Sequence, residues 1–319
     1  MRWLLAICYV VLGTVLTSCS SHSQHVPGPT KFLIGMSQAN LVEPWRIEMN
    51  REIKAEIQNY KDVKVIFADA AQNSEKQVKD VERLMKQGID LLIISPNEVK
   101  LLAPIVNKAF KSIPVIVLDR DDPDFNHTLY IGPDNEMIGK QAGDFVVDLL
   151  GGKKGNVVEV QGLSDSPPVI GRSRGFLQVI SQHPNIHLID TIVADWLRDK
   201  SEDQLKQRFV TYPQIDVIFA HNDDMALGAY LAATKLRIKH IQFVGIDGLP
   251  GAEGGIQLVN NGILAGTFTY PTGGKDAIKY AMKILNKEVN IPKRVTLQSS
   301  KITPRLSIHS ISSLINMMK

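Results

Sequence analysis

Short apolar runs alternate with longer amphipathic stretches through the first half of the chain. The apolar runs predict strands at residues 32–36, 63–68, 89–94 and 113–118. The stretches between them predict helices at residues 44–60, 74–87 and 99–111. Continuous Val- and Ile-rich runs are typical of strands buried on both faces of a parallel sheet, because no polar position interrupts them. A short extended piece at residues 129–132 and a helix that begins near Asn135 complete this half.

The same alternation begins again in the second half. Strands are predicted at residues 156–161, 186–193, 215–220, 241–246 and 262–269, and helices at residues 168–182, 200–211, 223–236 and 273–286. Residues 88–96 (GIDLLIISP) are similar to residues 214–222 (QIDVIFAHN), and residues 113–120 (IPVIVLDR) to residues 241–248 (IQFVGIDG). The pattern therefore predicts an α/β protein of two doubly wound parallel-sheet lobes. One continuous sheet is the alternative, although a sheet of that size would be unusual.

The first thirty residues have the pattern of an export signal rather than of a folded domain. Arg2 precedes an apolar run at residues 3–15, which is shorter than the ~20 residues of a membrane-spanning helix and has the length of a secretory signal. The Leu-Thr-Ser-Cys sequence that ends at Cys19 resembles the lipobox of bacterial lipoproteins, with a plain signal peptide as the alternative. We therefore expect a signal peptide at 1–18, lipidation of Cys19 and a flexible tether at 19–30. The mature protein would be anchored to a membrane, in the periplasm or at the cell surface.

Composition and charge exclude several classes of protein. The 319 residues are 44% hydrophobic, enough for two cores, and the net charge of +3 is spread over dispersed Lys and Arg residues, so we expect no nucleic-acid partner. Both cysteines, Cys8 and Cys19, precede the first predicted strand, and the sequence has no G-x-S-x-G motif, P-loop or metal-type pair of histidines. We therefore expect no cofactor, no metal site and no nucleophilic catalysis.

Polar side chains follow the buried strands of both predicted sheets. Because parallel strands end at the same edge, these groups should meet in a crevice where small ligands bind. The groups are Ser37, Gln38, Ser95, Asp119, Arg120, Asn222 and Asp247. Carboxylates, amides and guanidinium groups match the paired donors and acceptors of a sugar, and Trp45 and Trp196 could pack on its C–H faces. The alternatives are core tryptophans and simple helix caps, and capping is the role we expect for Asp223.

Four short motifs together resemble the periplasmic sugar-binding proteins of ABC importers, of the ribose- and galactofuranose-binding kind. They are residues 115–120 (VIVLDR), 172–176 (RSRGF), 221–229 (HNDDMALGA) and 244–248 (VGIDG). The resemblance extends from about Lys31 to Pro304. It implies a type I periplasmic binding fold, in which a three-strand hinge joins the lobes. The implied lobes are residues 31–132 plus 271–298 and residues 133–270 plus 299–319.

The resemblance also implies roles for individual residues. It implies that Asp119 and Arg120 hold sugar hydroxyls from the first lobe, and that Arg172 reaches in from the second. Three further contacts are implied in the second lobe, namely Asn222, Asp247 and the stacking ring of Trp196, with a looser match at Tyr270 near the hinge. The Trp45-Arg46 pair resembles the galactofuranose branch, which favours furanose forms.

These observations predict a lipid-anchored protein that captures one monosaccharide and delivers it to an ABC permease. The alternative is a receptor that presents a sugar or an autoinducer to a sensor kinase. A glycosidase using Asp119 and Asp247 is disfavoured, because Arg120 would keep the neighbouring carboxyl ionised and unable to act as a general acid. We expect a monomer, and we assign no role to the tail at 307–319.

Overall fold

The computed structural model of this protein describes residues 30–212 and 214–304. The predicted signal peptide, Cys19, the tether up to residue 29 and the tail at 307–319 lie outside these residues. The strands are β1 (Phe32–Gln38), β2 (Val63–Asp69), β3 (Leu91–Ser95), β4 (Val115–Leu118), β5 (Leu129–Pro133), β6 (Gly155–Gln161), β7 (Ile186–Val193), β8 (Val217–Ala220), β9 (Gln242–Asp247), β10 (Gly266–Thr269), β11 (Arg294–Leu297) and β12 (Lys301–Ile302). The helices are α1 (Pro44–Ile57), α2 (Ser74–Lys86), α3 (Val99–Phe110), α4 (Asn135–Leu150), α5 (Pro167–Ile180), α6 (Arg198–Thr211), α7 (Asp223–Lys235), α8 (Gly255–Asn260) and α9 (Gly274–Leu285). In this part of the chain, no helix combines the length and hydrophobicity needed to cross a membrane.

The first sheet has the strand order β11-β5-β4-β3-β1-β2, and all its strand pairs are parallel. Alternate residues of β3 pack on opposite faces. Leu91 and Ile93 join one apolar cluster, while Leu92 and Ile94 join another. Helices therefore cover both faces of this sheet, which explains why its central strands contain continuous apolar runs.

The second sheet repeats this arrangement with the order β12-β10-β9-β8-β6-β7. Its strand pairs are parallel except at the edge, where β12 runs antiparallel to β10. The chain passes between the sheets three times: between β5 and β6, between β10 and β11, and between β11 and β12. The predicted fold class, two doubly wound parallel-sheet lobes joined by three connections, is confirmed.

The element boundaries differ from the sequence prediction mainly near the end of the described chain. The strand predicted at residues 262–269 begins only at Gly266, because α8 and a short turn come before it. The pattern did not predict β11 and β12, since these short edge strands are only half buried and carry few apolar residues. Periodicity is a weak signal for such strands because hydrogen bonding, rather than burial, places them in the sheet.

Candidate functional site

A small cavity lies where the carboxyl ends of the two sheets face each other. The space between its walls is about 300 Å³, part of it open to solvent. Residues of the first lobe form one wall: Glu43, Trp45, Arg46, Asp119 and Arg120. Residues of the second lobe form the other: Pro168, Arg172, Trp196, Asn222, Asp247 and Tyr270. A ligand held here would touch both lobes at once.

Most of the residues predicted for the site line this cavity, but Ser37, Gln38 and Ser95 do not. All three are fully buried beneath the wall of the first lobe. Sequence reasoning also missed two lining residues. Glu43 directly precedes Pro44 at the start of α1, and Pro168 lies one helical turn before Arg172. Each lies within one helical turn of a predicted site residue, and this proximity is the sequence signal that could have identified them.

Arg46 is the centre of the first-lobe wall and is 1% exposed. Its guanidinium donates hydrogen bonds to Ser95 Oγ at 2.6 Å, Gln38 Oε1 at 3.0 Å and Glu43 Oε1 at 3.1 Å, and it lies 3.5 Å from Asp119 Oδ2. Burial alone would lower the pKa of Arg46, but Glu43 and Asp119 outweigh this effect and raise it. Gln38 and Ser95 therefore fix the orientation of a cation.

Asp119 and Arg120 leave the end of β4 in a turn that directs both into the site. Asp119 adopts a left-handed conformation with φ of 70°, and its Oδ1 accepts a hydrogen bond from the Tyr270 hydroxyl at 2.8 Å. The Arg120 guanidinium donates to the Asn97 carbonyl. Burial, together with repulsion from Arg46, lowers the pKa of Arg120 to about 10, so it stays cationic at neutral pH.

Arg172 is the corresponding cation of the second-lobe wall. Its Nε donates to Asn135 Oδ1 at 3.0 Å, and its Nη1 donates to the backbone carbonyl of His221. The guanidinium carbon lies 4.3 Å from the ring centroid of Tyr270 and 5.4 Å from that of Trp196. Cation–π contacts of this kind hold the charge between two aromatic faces.

Asn222, not Asp223, is the N-cap of α7, which corrects the sequence interpretation. Asn222 Oδ1 accepts from the backbone N–H of Met225 at 2.8 Å. Asp223 instead accepts from Gly248 N at 2.7 Å and from Thr267 Oγ1 at 2.6 Å, so it joins α7 to two strands of the sheet. Burial raises the pKa of Asp223 to about 6 despite these hydrogen bonds.

Asp247 has spare hydrogen-bonding capacity on the cavity wall. It is 9% exposed, and among the described residues no group donates to its carboxyl oxygens. Burial, followed by repulsion from Asp223, raises its pKa well above the ordinary value, and Glu43 in the opposite wall adds to this effect. Arg120 Nε, which lies 3.6 Å from Asp119 Oδ2, and Trp196 Nε1 are buried donors without a hydrogen bond in the described part of the chain. Unpaired donors and an unpaired acceptor in one cavity match hydroxyl groups, which can both donate and accept.

The comparisons with known proteins agree with one another on the family of this chain. Residues 34–288 match the periplasmic binding protein domain family. The chain is 32% identical over 241 residues to the ribose import binding protein of Bacillus subtilis (strain 168), covering 73% of this chain and 77% of the relative. It is 31% identical over 252 residues to the galactofuranose-binding protein of Escherichia coli (strain K12), covering 76% and 77%.

A solved structure extends the comparison to the fold. The fructose-binding periplasmic domain of a hybrid two-component system superposes with a TM-score of 0.81 and 40% sequence identity, covering 90% of this chain and 95% of that domain. The family match, the relatives and the two parallel-sheet lobes agree. This chain therefore belongs to the periplasmic binding protein domain family and has the type I periplasmic binding fold.

Proposed function

We propose that this protein is an exported, non-enzymatic sugar-binding protein that captures one monosaccharide between its lobes and delivers it to an ABC permease. The observation that carries the proposal is the interlobe cavity, where Asp247 offers unpaired acceptors and Arg120 and Trp196 offer unpaired donors. A sugar would satisfy these groups and join the lobes. The ribose- and galactofuranose-binding relatives support this ligand class.

The cavity-lining residues are the proposed sugar contacts, with Gln38 and Ser95 acting through Arg46. Ser37 accepts a hydrogen bond from Gln77 at 3.3 Å, so we propose a structural role for it. The galactofuranose-binding relative and the Trp45-Arg46 pair favour a furanose form. The proposed lobes keep the boundaries 31–132 plus 271–298 and 133–270 plus 299–319.

Binding is favoured over catalysis by the contacts of Asp119 and by the names of the relatives. Asp119 Oδ2 lies 3.5 Å from a guanidinium nitrogen of Arg46 and 3.6 Å from one of Arg120, so Asp119 belongs to an ion-pair network of the first-lobe wall. The relatives are binding proteins rather than enzymes by name.

A receptor that presents its ligand to a sensor kinase is the second candidate. It is favoured by the 40% identity to the periplasmic domain of a hybrid two-component system. The two candidates share the ligand site and differ in the partner. Sugar uptake by vesicles that contain a co-expressed permease would support the first, whereas sugar-dependent phosphorylation of a partner kinase would support the second.

Calorimetric titration of the mature chain with a panel of pyranoses and furanoses tests the ligand class. We expect at least one sugar to bind, and Asp247→Ala to weaken that binding at least about tenfold, because a hydrogen bond to a charged group contributes roughly 1.5–3 kcal/mol. No binding by any sugar, or equal binding by the variant, would overturn the proposal.

Membrane anchoring through lipidated Cys19 is a separate proposal that rests on the N-terminal sequence. We expect Cys19→Ala to release the protein from the membrane fraction and to abolish labelling by a radioactive fatty acid. A monomeric state is also proposed, and sedimentation measurements on the mature chain would test it.

A further inference from the structure

A polar network with a buried centre lies behind the second-lobe wall of the cavity. Its centre is Glu159 on β6, which is 1% exposed. Glu159 Oε1 accepts from Ser173 Oγ at 2.7 Å and lies 2.9 Å from His221 Nε2, while Oε2 accepts from Gln161 Nε2 at 3.0 Å. Gln161 Nε2 also donates to Ser173 Oγ at 2.8 Å. These four residues are not among those that line the cavity.

Two members of the network are chain neighbours of cavity residues. Ser173 directly follows Arg172 on α5, and His221 directly precedes Asn222 at the start of α7. Glu159 therefore connects the segment that carries Arg172 to the segment that carries Asn222. The bond from Arg172 Nη1 to the His221 carbonyl closes this loop of contacts.

Trp196, a third cavity residue of this wall, contacts the same group of residues. Asn222 Nδ2 donates to the Trp196 carbonyl at 3.2 Å, and the ring centroids of Trp196 and His221 lie 6.3 Å apart. Arg172 also packs on the Trp196 ring. Glu159 thus contacts the chain neighbours of Arg172 and Asn222, namely Ser173 and His221. Asn222 in turn connects this network to Trp196.

The network holds a charge on an almost fully buried carboxylate, with His221 fully buried and Ser173 and Gln161 half-buried around it. Burial would raise the pKa of Glu159, but the hydrogen bonds from His221, Ser173 and Gln161 outweigh it and lower the pKa. Burial also lowers the pKa of His221, and His221 Nε2 lies 2.9 Å from the carboxylate. The centre of the network resists rearrangement, because moving Glu159 away from its partners would leave a buried carboxylate without hydrogen bonds.

We propose that Glu159 is a positioning residue that holds Arg172 and Asn222 in their sugar-binding geometry through Ser173 and His221. The inference rests on the proposed sugar-binding function and extends it to a residue that does not touch the ligand. Ser173 donates to the carboxylate rather than to the imidazole, so the network is not arranged as a nucleophile with its base. Its role is to restrict the movement of the wall residues before the ligand binds, which lowers the entropy lost on binding.

The test compares affinity across matched variants. Ser173→Ala and Glu159→Gln should weaken binding of the best sugar in the panel by about three- to tenfold, the effect of one hydrogen bond lost from the supporting network. Asp216→Asn is the control. The Asp216 carboxylate directly precedes β8 and accepts from Asn156 N at 2.7 Å, at the start of β6, and Asp216 does not line the cavity. The control should bind the sugar like wild type.

Two further measurements distinguish positioning from a general loss of stability. Ser173→Thr keeps the hydroxyl and should restore affinity. In an Arg172→Lys background, Ser173→Ala should cause little additional loss, because both changes disturb the same group. Equal affinity of wild type and Ser173→Ala, or full additivity with Arg172→Lys, would overturn the positioning role while leaving the proposed function intact. A wild type that binds none of the sugars would overturn both.

Discussion

Replacement of Asp247 by Asn should make the ligand-free protein more stable and its sugar affinity weaker. The carboxyl is buried, and no described residue donates a hydrogen bond to it. Burial and Asp223 raise its pKa well above the ordinary value. An amide of nearly the same shape removes the cost of a buried charge but also removes one charged acceptor from the site.

The effect on stability has a definite dependence on pH. A carboxyl group whose pKa is higher in the folded state stabilises the fold most below the unfolded pKa of about 3.9, and this contribution disappears as the pH rises through the folded value. Asp247→Asn should therefore raise the Tm more at pH 8 than at pH 5. A change of about 1 kcal/mol corresponds to about 2–4 °C for domains of 150–250 residues, so we expect a rise of at least about 2 °C at pH 8.

The effect on binding is opposite in sign. A hydrogen bond to a charged group contributes about 1.5–3 kcal/mol, and the Asn side chain keeps one of the two acceptor oxygens, so we expect the loss at the lower end, about tenfold in Kd. Thermal unfolding by circular dichroism at pH 5 and pH 8, with calorimetric titration at pH 7, measures both effects. A lower Tm at both pH values, or a stability gain that shrinks as the pH rises, would refute the reasoning.

Three other substitutions test the cavity walls and the core. Tyr270→Phe removes the 2.8 Å hydrogen bond to Asp119 but keeps the ring, so calorimetry should show Kd weakened about three- to tenfold, and an unchanged Kd would contradict this role. Arg46→Lys cannot reproduce the simultaneous contacts of the guanidinium, so it should weaken binding at least about tenfold and lower the Tm in scanning calorimetry; a fully active lysine variant would contradict the geometry. In Gly228→Ala the new Cβ would lie 2.3 Å from the Arg198 carbonyl, so chemical denaturation should show a loss of about 1–3 kcal/mol, and a neutral result would show that α6 and α7 can separate freely.

The fold class could be predicted because each lobe repeats a local pattern many times. The apolar runs at β3 and β4 are buried at every position, and such continuous runs distinguish two-sided parallel strands from half-exposed ones. The edge strands β11 and β12 were not predictable in this way, since their residues are partly exposed and their places depend on pairing with β5 and β10. Only the assembled sheets supply those partners.

The candidate site was predictable to the extent that strand ends identify an edge. Asp119 and Arg120 directly follow β4 and Asp247 ends β9, and parallel strands bring such ends together. Which polar groups remain unpaired is a different property, because it depends on every neighbour in three dimensions. Gln38 and Ser95 also end strands, yet they bond Arg46 beneath the cavity wall.

The sequence by itself determined the two-lobed α/β architecture and the edge at which polar residues collect, since both follow from periodicity along the chain. The tertiary structure decided that Glu43 joins the cavity, that Asn222 rather than Asp223 caps α7, and that Glu159 supports Arg172 from behind. Hydrogen bonds are short and directional, so residues distant in sequence select their partners only after the backbone has brought them within about 3 Å. No spacing along the chain encodes that distance.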